Sequence, residues 1–281
     1  MAKDMRLDKF LTRVGAATRS EAKKLAKEGR ILVNGRPVRD TAMKIEPGRD
    51  EVAVDGVVLE YREHVYLMMN KPAGVITATV DARQTTVLDL LDDRMRAWRP
   101  FPVGRLDKDT EGLLLLTTDG ALAHGLLSPR RHVPKTYIAL VEGRVSEADI
   151  RAFAAGVRLE DGYVTMPAEL AILAAGETAE GAFSEVELTI MEGKFHQVKR
   201  MFLAVGKRVV RLKRIRMGPL VLDPVLAPGD WRELTPGETR ALLAAGAKAA
   251  GTAPGNRTGK TAGNPARNPT DPSAEKTGRN G

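Results

Sequence analysis

Apolar residues recur at helical spacing near the start of the chain. Leu7, Phe10, Leu11 and Val14 stand at i, i+3, i+4 and i+7, which predicts an amphipathic helix over residues 6–14, ended by Gly15-Ala16-Ala17. Thr18 with Glu21 three residues on predicts a capping box for a second helix. That helix turns Ala22, Leu25 and Ala26 inward and Arg19, Lys23, Lys24 and Lys27 outward, and Gly29 stops it. Asn34-Gly35, between Ile31-Leu32-Val33 and Arg36-Pro37-Val38, predicts a tight hairpin. Asp55-Gly56 predicts another between residues 51–54 and 57–59.

Beyond a polar, flexible joint at residues 61–64 the pattern changes. Val65–Met69 reads as a strand and Asn70–Gly74 as a turn, with a short helix expected at Thr85–Leu91. Leu113–Thr117 is a continuous apolar run, hence a buried strand. Asp119 caps a short helix, and Thr136–Val141 follows as a strand. Ser146 with Asp149 opens a helix that Gly156 closes. Val164–Leu173 and Ser184–Met191 read as strands around a turn at Gly176–Gly181. Phe195, Val198, Met201 and Phe202 share one helical face. Val209–Leu212 and Trp231–Leu234 are further strands, and Thr235-Pro236-Gly237-Glu238 starts the last helix. The fold class expected is α+β: a small helix-and-hairpin unit at residues 1–62, then a domain at 63–246 with a mixed, mainly antiparallel sheet and flanking helices. Residues 247–281 carry almost nothing large and apolar and are expected to be a disordered basic tail.

Composition narrows the chemistry. There is no cysteine, so no disulfide, thiol nucleophile or Cys-ligated metal. His64, His124, His132 and His196 lack metal-ligand spacing, and no nucleotide-binding motif occurs, so no cofactor and no metal are expected. With neither a long apolar run nor a signal-type segment, a cytoplasmic protein with no membrane partner is expected. The net charge of +8 is concentrated. Residues 1–39 carry 11 Lys/Arg against four Asp/Glu, and residues 193–216 carry nine against none. Two such patches suggest one extended phosphate-contacting surface, although each would serve equally as a solvated helix face.

The most informative stretch is Gly104–Gly120, GRLDKDTEGLLLLTTDG. It sets a turn rich in charges against a buried strand, which is costly unless the charges face a cleft; a plain surface turn is the competing reading. Over these 17 positions, without a gap, it resembles the signature loop of RNA pseudouridine synthases. Asn70-Lys71-Pro72-Ala73-Gly74, Lys135-Thr136-Tyr137 behind a basic loop with two prolines, and His196-Gln197-Val198-Lys199-Arg200-Met201-Phe202 resemble further motifs of that family. MRLDKFL and TRSEAKKLAKEGRILVNGRPV resemble the S4 RNA-binding domain, which implies an S4-type domain in front of the catalytic one.

The resemblance implies roles that spacing alone does not give. Asp107 would be the catalytic carboxylate, acting as nucleophile or electrostatic base. Lys199, where many relatives carry Arg, would sit beside it and keep it ionised. Tyr137, otherwise a core residue of an alternating strand, would pack on the target base and accept a proton. Arg105 would hold the target nucleotide out of its stack, and the Asn70–Gly74 turn would support the cleft, with Lys71 as a candidate phosphate contact. Arg6, Lys9, Arg19, Lys23, Lys24 and Arg36 are the S4-side RNA contacts, and Arg130, Arg131 and Arg200 those of the larger domain. The implied partner is ribosomal RNA, 16S rRNA or a 30S precursor particle, met by a monomer. A 23S-directed relative is the nearest rival. A non-catalytic rRNA-binding assembly factor is the rival of another class, and a metal-free glycosidase a weaker one, with only Asp109 or Glu111 as a second carboxylate.

Overall fold

In the computed structural model, residues 4–179 and 181–247 are described, so the expected disordered tail falls outside the described residues from 248 onward. Near the start of the chain local signals decide the structure. The Glu21 amide donates to Thr18 Oγ1 at 3.3 Å and the Thr18 amide to Glu21 Oε2 at 2.8 Å, and the helix Arg19–Lys27 follows. It packs on the helix Leu7–Arg13 around Leu7, Phe10, Leu11, Ala22 and Ala26. Asn34, Gly35, Asp55 and Gly56 all take positive φ, and the two hairpins join in a four-stranded antiparallel sheet.

The joint at residues 61–64 is anchored rather than free. Tyr61 stacks on Phe10 with ring centroids 5.8 Å apart, and Arg13 donates to the Glu63 carbonyl at 2.6 Å. Arg62 pairs with Glu233.

A nine-stranded sheet organises the rest. Its main path runs Glu169–Thr178, Gly181–Ile190, Lys135–Glu142, Arg208–Met217, Glu111–Thr117, Tyr66–Lys71 and Trp231–Glu233. One junction is parallel, where Lys213 lies opposite Glu111 and Arg214 opposite Gly112; the other pairings are antiparallel. The fold is therefore α+β with a mixed, mainly antiparallel sheet. Within the Glu111–Thr117 strand, Leu113–Leu116 is continuously apolar because both faces are buried there. Leu114 and Leu116 enter a core with Leu67, Met69 and Phe202, while Leu113 and Leu115 enter another with Met68, Leu122 and Leu242. All four leucines are 0% exposed, each contributing roughly 2–3 kcal/mol relative to an exposed position.

Two expected elements are placed differently. Thr85–Leu91 forms turns, in which the Thr86 amide and hydroxyl both donate to Asp89 Oδ2, at 2.8 and 2.9 Å. The pattern is that of a helix start, but the chain makes only turns before Asp92 caps the helix Asp93–Ala97. The strand expected from Val164 begins at Glu169, and the expected Gly176–Gly181 turn is mostly strand. Gly176 is needed there for a close approach, since a Cβ would lie 2.7 Å from the Phe183 ring.

Candidate active site

The loop Gly104–Thr110 feeds the Glu111–Thr117 strand, and neighbouring segments pin its backbone. Lys71, 0% exposed, donates from Nζ to the carbonyls of Pro72, Lys108 and Thr110 at 3.0, 3.2 and 2.8 Å. The Gly74 amide donates to the Lys108 carbonyl at 2.8 Å, and Thr77 Oγ1 donates to the Leu106 carbonyl at 2.7 Å. Burial pushes the Lys71 ammonium down to about 8. The expected phosphate contact by Lys71 is thus corrected: the side chain lies wholly under the loop, bonded to three carbonyls. Lys71→Met should cost roughly 2–4 kcal/mol in urea unfolding, because those carbonyls lose their donor, and should leave RNA affinity nearly unchanged. A phosphate contact would instead show itself as weaker, less salt-dependent binding.

Pinned in this way, Asp107 presents its carboxylate at the mouth of a cavity of about 400 Å3. Lys199 Nζ lies 3.2 Å from Asp107 Oδ2, and His196 Nε2 lies 3.5 Å from Oδ1. Lys199 is shared, with Asp109 Oδ1 at 2.6 Å. Burial works against the Lys199 charge, yet its hydrogen bonds to Asp109 and Asp107 outweigh this and hold its pKa above the usual value. The Lys199 hydrogen bond in turn holds the Asp109 carboxyl below the usual carboxylate range. Both partners of the Asp107 carboxylate come from one segment. His196, at a φ of 48°, begins the helix Gln197–Ala204, and Lys199 sits on its first turn.

Tyr137 forms part of the same cavity wall, 7% exposed, from the strand Lys135–Glu142. Behind it lie groups that the sequence reading passed over. Glu192 accepts hydrogen bonds from Tyr163 Oη, the Met166 amide and Gln197 Nε2 at 2.6, 2.9 and 2.8 Å. Lys135 donates to the Val133 carbonyl at 2.9 Å. Burial, and then the field of Arg214, pushes Lys135 down to about 8. Arg214 is 2% exposed and also lines the cavity.

The structure therefore brings Asp107, Tyr137, Lys199 and Arg105 to one cavity, with Arg105 exposed at its edge. Arg130 is exposed on the turn Pro129–Arg131, but Arg131 donates from Nη1 to the Gly246 carbonyl at 2.5 Å. Arg200 is taken up by Glu160 and Asp161. The extended basic surface expected at residues 193–216 is corrected in the same sense. Lys207 pairs with Asp149, Arg208 with Glu142 and Arg211 with Glu111, so acids from elsewhere in the fold take up part of this stretch, while Lys194, Lys213, Arg214 and Arg216 form no ion pair among the described residues. The amino-terminal face differs. Arg6 pairs with Asp8, but Lys9, Arg19, Lys23, Lys24 and Arg36 are exposed and form no ion pair among the described residues.

The family profile described as RNA pseudouridylate synthase matches residues 65–204, and that of the S4 domain matches residues 5–52. The chain belongs to the RNA pseudouridine synthase family, with an S4 domain ahead of the synthase fold. An uncharacterized RNA pseudouridine synthase of Bacillus subtilis is 50% identical over 85% of this chain and 98% of its own length. Ribosomal small subunit pseudouridine synthase A of Escherichia coli is 42% identical over 85% of this chain and 100% of its own length. Ribosomal large subunit pseudouridine synthase B of B. subtilis is 40% identical over 85% of this chain and 96% of its own length.

Proposed function

We propose that this protein converts a uridine of 16S ribosomal RNA to pseudouridine, with Asp107 as the reacting carboxylate. The observation that carries the reading is the Asp107 carboxylate itself, 3.2 Å from Lys199 Nζ, at an open cavity that also contains the Tyr137 ring. A carboxylate is a nucleophile at neutral pH without prior activation, and the adjacent ammonium of Lys199 aims it. The isomerisation breaks the bond from C1′ to N1 of uracil, turns the base, and forms a bond from C1′ to C5, with the C5 proton released and N1 taking up a proton. It has no net redox change.

The base must leave its stack to reach Asp107, at a cost of a few kcal/mol in general. Arg105 at the cavity edge holds the extruded nucleotide, and Tyr137 stacks on its base. The unpaired S4 face offsets the extrusion cost through phosphate contacts. Lys23→Ala with Lys24→Ala should lower RNA affinity and reduce the slope of log affinity against log salt by about 2, leaving the single-turnover rate at saturating RNA unchanged. A salt titration of both proteins checks this.

The small-subunit relative supports 16S rRNA as the substrate, and the large-subunit relative supports 23S rRNA as the second reading. Incubating the protein with 16S and 23S transcripts and with 30S particles, then mapping carbodiimide-dependent stops, separates them. A new stop confined to 16S RNA is expected. Stops in 23S RNA alone would transfer the assignment, and none in any substrate would favour a binding role without catalysis.

A further inference from the structure

Three buried side-chain polar atoms lack a hydrogen-bond partner among the described residues, and two belong to residues lining the Asp107 cavity: Thr110 Oγ1 and Arg214 Nη2. Arg214 is the larger anomaly. Its Nε donates to the Leu113 carbonyl at 2.8 Å, while its terminal nitrogens meet no acceptor among the described residues and no carboxylate pairs with it. One of five donors is used, on a cation that is 2% exposed. Burying such a group half-bonded is costly, and a bond to one carbonyl does not require a guanidinium. Lys135 lines the same wall and feels the Arg214 charge, so the fold holds two cations close together there.

The missing acceptor is a substrate atom. On the reading of this cavity as a pseudouridine synthase site, we propose that Arg214 is a further positioning residue, donating from its terminal nitrogens to O4 of the extruded uracil. Depth favours the base over phosphate. Arg214 lies in the sheet beneath the cavity, beside Leu212 and Met217, and Glu192 in the same wall would repel a phosphate. Chemistry favours O4 over O2. If the Asp107 carboxylate adds to C6, the C5=C6 pair moves toward C4 and its charge rests on O4 as an enolate. If the bond from C1′ to N1 breaks first, its pair stays on N1 and delocalises through C6=C5 onto O4, and also onto O2. O4 carries charge by either route, and a preorganised cationic donor there stabilises the charge as it develops.

The test replaces O4 by sulfur, a poorer acceptor. Single-turnover product is followed by nucleoside chromatography on transcripts made with uridine, 4-thiouridine or 2-thiouridine. The wild-type protein is expected to slow on the order of 10- to 100-fold with 4-thiouridine and less than about threefold with 2-thiouridine. Arg214→Met should lose a similar factor on uridine RNA, lose nothing further with 4-thiouridine, and bind RNA within about twofold of wild type. A merely structural role for Arg214 would leave the sulfur effect intact in the variant. Wild-type tolerance of 4-thiouridine, a full sulfur effect in Arg214→Met, or a salt-dependent loss of RNA affinity would each overturn the proposal. Should the methionine variant fail to fold, the wild-type arms decide alone. No product from wild-type protein on uridine RNA would instead remove the synthase reading, and this inference with it.

Discussion

Asp107→Asn should abolish turnover, by a factor on the order of 10,000 or more, while RNA affinity stays within about twofold of wild type. The substitution keeps shape and removes charge. An amide neither attacks carbon nor stabilises a positive sugar centre as a carboxylate does, so both routes open to Asp107 close together. The surroundings should hold, because Lys199 retains Asp109 at 2.6 Å and the loop remains pinned by Lys71 and Thr77. Removing a negative charge from a site that meets RNA also gives no reason for weaker binding. Tritium release from RNA containing 5-tritiated uridine measures turnover, and a nitrocellulose-filter titration measures affinity. Substantial residual release would show that another group performs the reaction and would remove Asp107 from the centre of the mechanism. Equal losses of rate and affinity would instead make Asp107 a structural or binding residue.

What was legible in the sequence is what short-range bonding decides. The capping pairs Thr18 with Glu21 and Thr235 with Glu238 close over three residues, and both form. Leu113–Leu116 reads as a buried strand because burial on both faces leaves no polar position to interrupt it. The loop motif and His196–Phe202 led to a carboxylate and an ammonium that do meet, 3.2 Å apart. What was not legible depends on distant partners. Phe195 has helical spacing with Val198, but the helix starts at Gln197, and the ring is 69% exposed, stacked on His196. Counting the basic residues of 193–216 missed the acids that sheet topology brings to them, from Glu111 to Asp161. The supporting role expected of Asn70–Gly74 holds, but that Lys71 is buried beneath the loop rather than free for phosphate is set only by the tertiary fold. Arg214 left a fainter signal. It shares strand parity with Leu212, an inward position; Arg216 shares that parity too but is exposed, because the register shifts opposite Thr136 and Tyr137 and Met217 takes the buried place.

Gly112→Ala should be the most damaging single-methyl change in the site. Gly112 has a φ of +101°, and a Cβ there would stand 2.2 Å from the Arg214 carbonyl oxygen and 2.8 Å from its amide nitrogen. These are backbone atoms of the facing strand, so no rotamer change relieves the overlap. The pairing of Arg214 with Gly112 belongs to the parallel junction of the large sheet, and it must open to admit a methyl group. Positive φ adds about 1 kcal/mol of strain, and displaced strand contacts add more, for an expected loss of roughly 3–5 kcal/mol against a typical total of 5–15. The functional loss should exceed the stability loss. Gly112 is the second residue of the strand that the Asp107 loop enters and abuts Arg214, so one displacement moves both walls of the cavity. Gly74→Ala is the matched control: φ is +86°, but nothing lies within 4 Å of the added carbon, so only the strain is incurred. Thermal melting and single-turnover rates of the two variants separate the contributions. Gly112→Ala with the melting temperature and rate of Gly74→Ala would show that the junction yields easily, and that the tight fit at Gly112 does not position the loop.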